Sequence, residues 1–385
     1  MCLRASVVNA RSDAPMAALG CWCYVGAMGA VAKHKRFLLR FVISLGIGGV
    51  LAWAMVSGGL PIIPAQRAFD RMASWVVPAY CLSLIGVHLL RALRWRHLLR
   101  PLGDVPTRGV LSTAWIGFAA VLLMPLRTGE VVRPYLVTKR GSVKGWEAAG
   151  SVGAERVIDG LVLSIVLFLA LQLTTPLSPL PDQVGDLPVP VATVPKAAYS
   201  ALVLFVVAFS LMALFFFKRA WGVRLIRMTV GLLSTSWADR VAGIVERVAS
   251  GMAFLPSGRH LVPFLIETLA YWTLNALGLW LLASGCGLSA IGFWEACVLM
   301  GCLGIGILVP SGPGYFGTYQ LSVYLALAMF VASDEVAVEG SAFVFLAYCC
   351  QVGLHLVGAV VGFIIDRLAP SQPSAENLAD PNALS

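Results

Sequence analysis

Charge is what this sequence has least of. Only 12% of its 385 residues are Asp, Glu, Lys or Arg, against the roughly 25% usual in soluble domains. With a mean hydropathy of +0.84, that scarcity excludes an ordinary soluble globular chain. Metal and redox motifs are missing too. The nine cysteines form no CxxC pair, Cys21 and Cys23 have no matching pair elsewhere, and Cys81, Cys297, Cys302, Cys349 and Cys350 sit inside apolar runs. They read as small buried hydrophobes. The five histidines are dispersed, with no HExxH or similar zinc spacing. No metal and no cofactor is expected. The net charge of +9 does not mark a nucleic-acid binder, because Lys and Arg collect in the segments between apolar runs, as they do beside anionic lipid.

What the chain does have is long apolar runs. Six of them, at 37–58, 75–94, 151–173, 198–217, 262–284 and 341–365, are near the ~20 residues that cross a bilayer as a helix. Residues 14–32 are mildly apolar, but the basic KHKR follows them, whereas a cleavable signal places its basic residues first. Residues 1–36 therefore read as a weakly structured cytoplasmic leader, and 368–385 as a disordered tail. Two further apolar regions, 110–126 and 293–309, are shorter. Each runs into Pro/Gly punctuation and then a second apolar stretch, at 131–137 and 318–332.

Basic residues set the orientation. With the N-terminus inside and only the six strong spans crossing, twenty Lys and Arg fall in inside segments, including Arg91 and Arg94, against Arg67, Arg71 and Lys196 outside. The outside loops instead carry Asp182, Asp186, Asp334, Glu335 and Glu339. Both termini are thus expected in the cytoplasm. Were 110–126 to cross fully, Lys139, Arg140 and Lys144 would be stranded outside. So 110–140 is expected to dip in from the cytoplasm and return, and 293–332 to do the same from outside. The fold class expected is an all-α polytopic membrane protein, with six or more full transmembrane helices plus two re-entrant hairpins.

A shift of 185 residues lays LMPLRTGEVVRPYL (123–136) over LVPSGPGYFGTYQL (308–321). Leu123, Pro125, Gly129 and Leu136 meet Leu308, Pro310, Gly314 and Leu321. The flanking spans repeat at offsets of 187 to 190, and the two units start on opposite sides of the membrane. An inverted repeat is expected, with halves at about 75–173 and 262–365 linked by 174–261, inside one transmembrane domain at 37–367. The breaks that Pro125, Gly129, Pro310, Gly312, Pro313 and Gly314 impose imply an internal cavity. Irregular backbone at membrane depth is tolerated only in protein or beside water.

Charges near that cavity are the candidate substrate-binding residues. A charge at the centre of a span costs roughly 2.5–3.5 kcal/mol even on the mildest scale, so such groups are paired or functional. Arg127, Glu130 and Arg133 stand at the first break. Glu155, Arg156 and Asp159 open the next span, where Glu155 and Asp159 share a face at i, i+4 and repel unless a cation lies between them. Glu267 stands alone in span 262–284, with Asn275 expected two turns along the same face. The pairing expected is that Arg127 or Arg133 bridges Glu155 and Asp159, leaving the other arginine for a phosphate, which the guanidinium fork suits. A scaffold in which every charge is matched internally is the competing reading. Tyr315 and Phe316 read as packing residues, and the GxxxG of Gly358 and Gly362 as a helix-packing face.

P-x-R-x-G-E-x-x-R at 125–133, ER-x-x-D at 155–159 and P-x-x-P-G-x-x-G at 310–317, taken in order, resemble the lysylphosphatidylglycerol synthase transmembrane (flippase-like) family over about residues 37–367. The resemblance implies a bacterial inner-membrane protein similar to the flippase half of multiple peptide resistance factors, which move aminoacylated phosphatidylglycerol between leaflets. It carries functional weight onto Arg127, Gly129, Glu130, Arg133, Glu155, Arg156, Asp159, Pro310, Pro313 and Gly314. The full-length synthases add a large soluble aminoacyl-transferase domain, whereas 20 residues follow Ile365 here, so lysyl transfer by this chain alone is not expected. The function expected is translocation of a phospholipid or polyprenyl-phosphate lipid. The alternatives are a membrane enzyme, although loop 59–74 offers only Asp70, and a partner subunit of a lipid-linked transferase. Expected partners are lipids with anionic or phosphate headgroups, together with a second copy of the chain or a lipid-modifying enzyme.

Overall fold

The apolar runs become helices because so little interrupts them. Between Pro78 and Pro101 the only breaker is Gly86, and the helix there runs unbroken over Val76–Leu99. The computed structural model describes residues 16–70, 72–218, 224, 227–229, 234–309 and 311–368. Among them are no strand and twelve α-helices: α1 Met16–Ser57, α2 Val76–Leu99, α3 Thr107–Leu123, α4 Val132–Thr138, α5 Gly145–Leu173, α6 Thr193–Phe217, α7 Thr235–Ser250, α8 Gly258–Gly285, α9 Phe293–Gly306, α10 Thr318–Leu327, α11 Ser333–Ala337 and α12 Glu339–Leu368.

Six segments are long and apolar enough to cross a membrane: Phe37–Ser57, Val76–Leu99, Gly145–Leu173, Thr193–Phe217, Gly258–Gly285 and Ser333–Leu368. They coincide with the six apolar runs, and the protein is a multi-pass membrane protein. Val42, Leu45, Val203, Leu204, Val357 and Val360 are exposed on α1, α6 and α12, as suits helices solvated by lipid rather than water. One expectation at the N-terminus changes. Residues 16–36, read as a weakly structured leader, are helical and continuous with the first span, and no proline interrupts the chain from 16 to 57. The first 15 residues, the tail from 369 and Pro310 lie outside the described residues.

Both short apolar regions end in a break. At 17 residues α3 spans about 25 Å, and at 14 residues α9 spans about 21 Å, each short of the ~30 Å hydrocarbon core. A tight turn at Pro125–Val131 separates α3 from α4, and another at Pro313–Tyr315 lies between α9 and α10. Gly314 and Gly317 take positive φ, of 75° and 94°, but so do Leu126, Arg127 and Tyr315, at 51°, 59° and 59°. For residues with a Cβ that conformation costs of order 1–3 kcal/mol each and persists only where the surroundings enforce it. Gly129 serves a different purpose. A Cβ there would run into the backbone of Ala120, so it lets the turn fold back onto α3.

The two halves pack crosswise. α2 lies along α8, α3 of the first half packs on α12 of the second, and α9 of the second packs on α5 of the first. Glycines set these contacts. Gly358 and Gly362 receive Trp115 and Ile116 of α3, while Gly301 and Gly304 receive Leu167 and Leu163 of α5. The GxxxG of α12 is thus a packing face. α1 touches both breaks. Its Ser44 hydroxyl donates to the Ser311 carbonyl at 2.6 Å, and Gly48 meets Gly312 backbone to backbone.

Candidate functional site

A cavity of about 640 Å³ lies where the two breaks, α2, α5, α8 and α12 meet. Its charged lining is Arg91, Arg127, Glu130, Arg156 and Asp159, and Asn275, Gln351 and His355 add polar groups. Tyrosines 271, 315 and 348 and a run of apolar side chains complete the wall.

Behind this wall the charges are matched. Arg94, fully buried on α2, clamps Asp159 with both Nη atoms, at 2.6 Å and 2.5 Å. The same guanidinium donates to Glu155 Oε1 at 3.0 Å and to the Thr268 hydroxyl at 2.9 Å. Arg133 holds Glu155 from the other side, at 3.3 Å and 3.0 Å. Two parallel N–H donors onto one carboxylate is the strong geometry for such a pair. Aromatic faces cover the cations. The Arg133 guanidinium sits 4.2 Å from the Trp95 ring and Arg94 4.5 Å from the Tyr271 ring, which compensates part of the lost hydration. Gly117 makes room for Arg133, since a Cβ there would strike the Arg133 side chain.

The expected bridge is therefore half present. Arg133 does hold Glu155, but the cation between Glu155 and Asp159 is Arg94, and Arg133 has no fork left for a ligand. Arg127 pairs with Glu130 at 2.8 Å and reaches the Ile307 carbonyl at 3.4 Å, tying the first break to the end of α9. Of the sequence-predicted residues, Arg127, Glu130, Arg156 and Asp159 line the cavity. Arg133 and Glu155 are 1% and 0% exposed and stand behind it. Glu267 does not line it; its Oε1 lies 3.4 Å from His97 Nε2. Asn275 does line the cavity, because eight residues make about 2.2 turns and rotate it some 80° from Glu267. Pro125, Gly129, Gly312, Pro313 and Gly314 lie at the two breaks as expected.

Sequence reasoning missed four residues. Arg91 and Arg94 were counted as loop charges, whereas α2 continues to Leu99 and turns both inward. Their signal was the i, i+3 spacing with His88 in a stretch without a helix breaker before Pro101. The other two are His88 and His355, distant in sequence, whose Nε2 atoms are 3.3 Å apart. Each Nδ1 meets the carbonyl four residues earlier, Leu84 at 2.8 Å and Gln351 at 2.7 Å. Among the described residues no three His, Cys, Asp or Glu side chains group as metal ligands.

Arg91 and Arg156 have no ion pair or hydrogen bond among the described residues. The Arg156 Nε is buried without a partner, and the Arg91 guanidinium lies 4.6 Å from the Phe118 ring. Two cations thus face a cavity inside the helix bundle of a polytopic membrane protein. The chain belongs to the family of the lysylphosphatidylglycerol synthase transmembrane region, whose family model matches residues 37–349. It is 27% identical over 293 residues to a protein named glycosyltransferase AglD from Haloferax volcanii, covering 70% of this chain and 46% of that protein. The chain thus spans about half the length of that curated relative. No solved structure matches it significantly.

Proposed function

We propose that this protein is a lipid translocase of the inner membrane. The phosphate-bearing headgroup of a phospholipid or polyprenyl lipid enters the cavity between the two breaks while its tails stay in the bilayer. The observation that carries this reading is the pair of cavity arginines, Arg91 and Arg156, neither in ion-pair contact with a carboxylate. An unmatched charge is expensive in such a place, so it marks a ligand position. The fixed clamp of Arg94, Arg133, Glu155 and Asp159 supports the wall, and Arg127 with Glu130 stands at the first break. The crosswise packing of α3 on α12 and of α9 on α5 supports an inverted repeat. The shortness of α3 and α9 supports two re-entrant hairpins, with both termini cytoplasmic. Transporters built from inverted repeats bind substrate where such broken elements meet.

The name of the Haloferax relative favours a second reading, in which the chain serves a lipid-linked glycosyl transfer. Against chemistry within the cavity itself, its two carboxylates, Glu130 and Asp159, are each held by an arginine, so no free acid pair stands ready for acid–base work. A transferase partner would then supply the chemistry. Leaflet-resolved movement of labelled lipids in proteoliposomes tests the first reading, and product analysis with candidate lipid-linked sugars tests the second. Movement no faster than in protein-free vesicles, together with a glycosylated product, would replace the first reading by the second.

A further inference from the structure

We infer that the headgroup this cavity takes carries a doubly charged phosphate, a phosphomonoester or a diphosphate, in preference to the singly charged phosphodiester of ordinary phospholipids. The inference rests on the translocase reading and narrows it. Five arginines stand at the cavity or directly behind it: Arg91, Arg94, Arg127, Arg133 and Arg156. Three carboxylates face them, Glu130, Glu155 and Asp159. The difference is two positive charges. Arg94, Arg127 and Arg133 are each in contact with a carboxylate, which leaves Arg91 and Arg156, both on the cavity wall, as the arginines with no carboxylate in contact, although Glu155, Asp159 and Glu130 lie near enough to act on Arg156.

Charge sets the preference. In a low-dielectric surround each uncompensated ion retains a large self-energy and interacts strongly with its neighbours. A singly charged phosphodiester leaves one of the two arginines unmatched, whereas a dianion matches both. Oxygen count points the same way. A phosphomonoester presents three terminal oxygens to the guanidinium donors and a phosphodiester two, and each guanidinium brings five N–H groups. Polar side chains elsewhere on the wall, among them Asn275 of α8 and the Tyr315 hydroxyl, add neutral donors. The remaining wall, with Leu122, Leu126, Val157, Leu163 and Leu303, is apolar enough to take the first carbons of a lipid anchor. A free phosphate would leave that surface unused.

The ligand's own titration supplies a pH signature. The second proton of a phosphomonoester leaves near pH 6, so the dianion prevails at neutral pH and is lost on acidification. Arg91 and Arg156 stay charged throughout.

The test uses the full chain in proteoliposomes with fluorescent phosphatidate and phosphatidylglycerol of identical tails. Phosphatidate should cross at least about tenfold faster at about pH 8, with the gap closing toward about pH 5 as the monoester loses its second charge. R91Q and R156Q should each reduce that preference by about tenfold, the effect of one charge-assisted contact. Neither variant should melt earlier than the parent protein, because neither breaks an ion pair. Equal rates for the two lipids at about pH 8 would overturn the inference and leave the translocase reading standing. Movement of neither lipid above protein-free vesicles would overturn both. Inhibition of phosphatidate movement by millimolar inorganic phosphate would overturn the lipid-anchored part of the inference, and insensitivity to it is the result expected.

Discussion

Arg94 and Asp159, 65 residues apart, form a two-pronged ion pair at 2.6 Å and 2.5 Å in the buried centre of the helix bundle. It fixes α2 against α5, and through the Thr268 hydroxyl it reaches α8. Removing one partner of a buried pair strands the other and typically costs 3–5 kcal/mol. R94A should therefore lower stability by about that amount, read as a fall in detergent melting temperature. R94K should recover little of it, because a single ammonium cannot reproduce the fork. A melting point unchanged in R94A would show that the pair contributes nothing.

Exposure separates two arginines that the sequence placed side by side. Arg133 is 1% exposed and holds a fully buried Glu155, whereas the Arg127 side chain is 26% exposed and its partner Glu130 34%. R133A should be strongly destabilising, by roughly 3 kcal/mol or more. R127A should change stability by no more than about 1 kcal/mol while slowing lipid movement. Comparing melting with transport for the two variants checks this, and similar melting losses in both would contradict it.

The glycines of α12 predict a packing defect of a different kind. A side chain at Gly358 would enter the space of the Trp115 ring. G358V should thus cost about 1–3 kcal/mol as an overpacked contact, whereas Gly353, with nothing near its would-be Cβ, should accept alanine without measurable loss. Parallel thermal melts of the two variants decide the point.

The two buried histidines make a prediction about a proton. A carbonyl oxygen only accepts, so the contacts of His88 with Leu84 and of His355 with Gln351 place a hydrogen on each Nδ1. Two neutral rings would then face each other lone pair to lone pair at 3.3 Å, which is repulsive unless one proton is shared between the Nε2 atoms. Trp115 and Phe118 of α3 surround His88 without charge, and the Arg91 cation repels a proton on either ring, so the shared proton is taken up only on acidification. Nitrogen NMR of the histidine-labelled protein should show two of the five imidazoles taking up a single proton together. Loss of that step in H88Q is the matching control. Opposite neutral tautomers at every pH would refute the shared proton.

The six membrane-spanning segments were legible in the sequence because a twenty-residue apolar run has almost no other use. The breaks were legible from Pro125, Gly129 and Pro313, though not the left-handed backbone at Leu126 and Arg127, which the tertiary contacts enforce against local preference. Arg133 and Glu155 were legible as partners. Arg94 was not, because basic residues at a span's end look like loop charges until the helix is seen to continue past them. His88 and His355 could not be paired from the sequence, since nothing local connects residues 267 apart. Glu267 was misplaced by reading two turns as one face, although 80° of rotation separates it from Asn275.

Whether Arg91 and Arg156 hold a lipid phosphate inside the helix bundle is decided by native mass spectrometry of the purified protein beside an R91Q/R156Q double variant. A phosphate-bearing lipid should co-purify with the parent protein and be lost from the variant. The same lipid retained equally by both would refute the proposal.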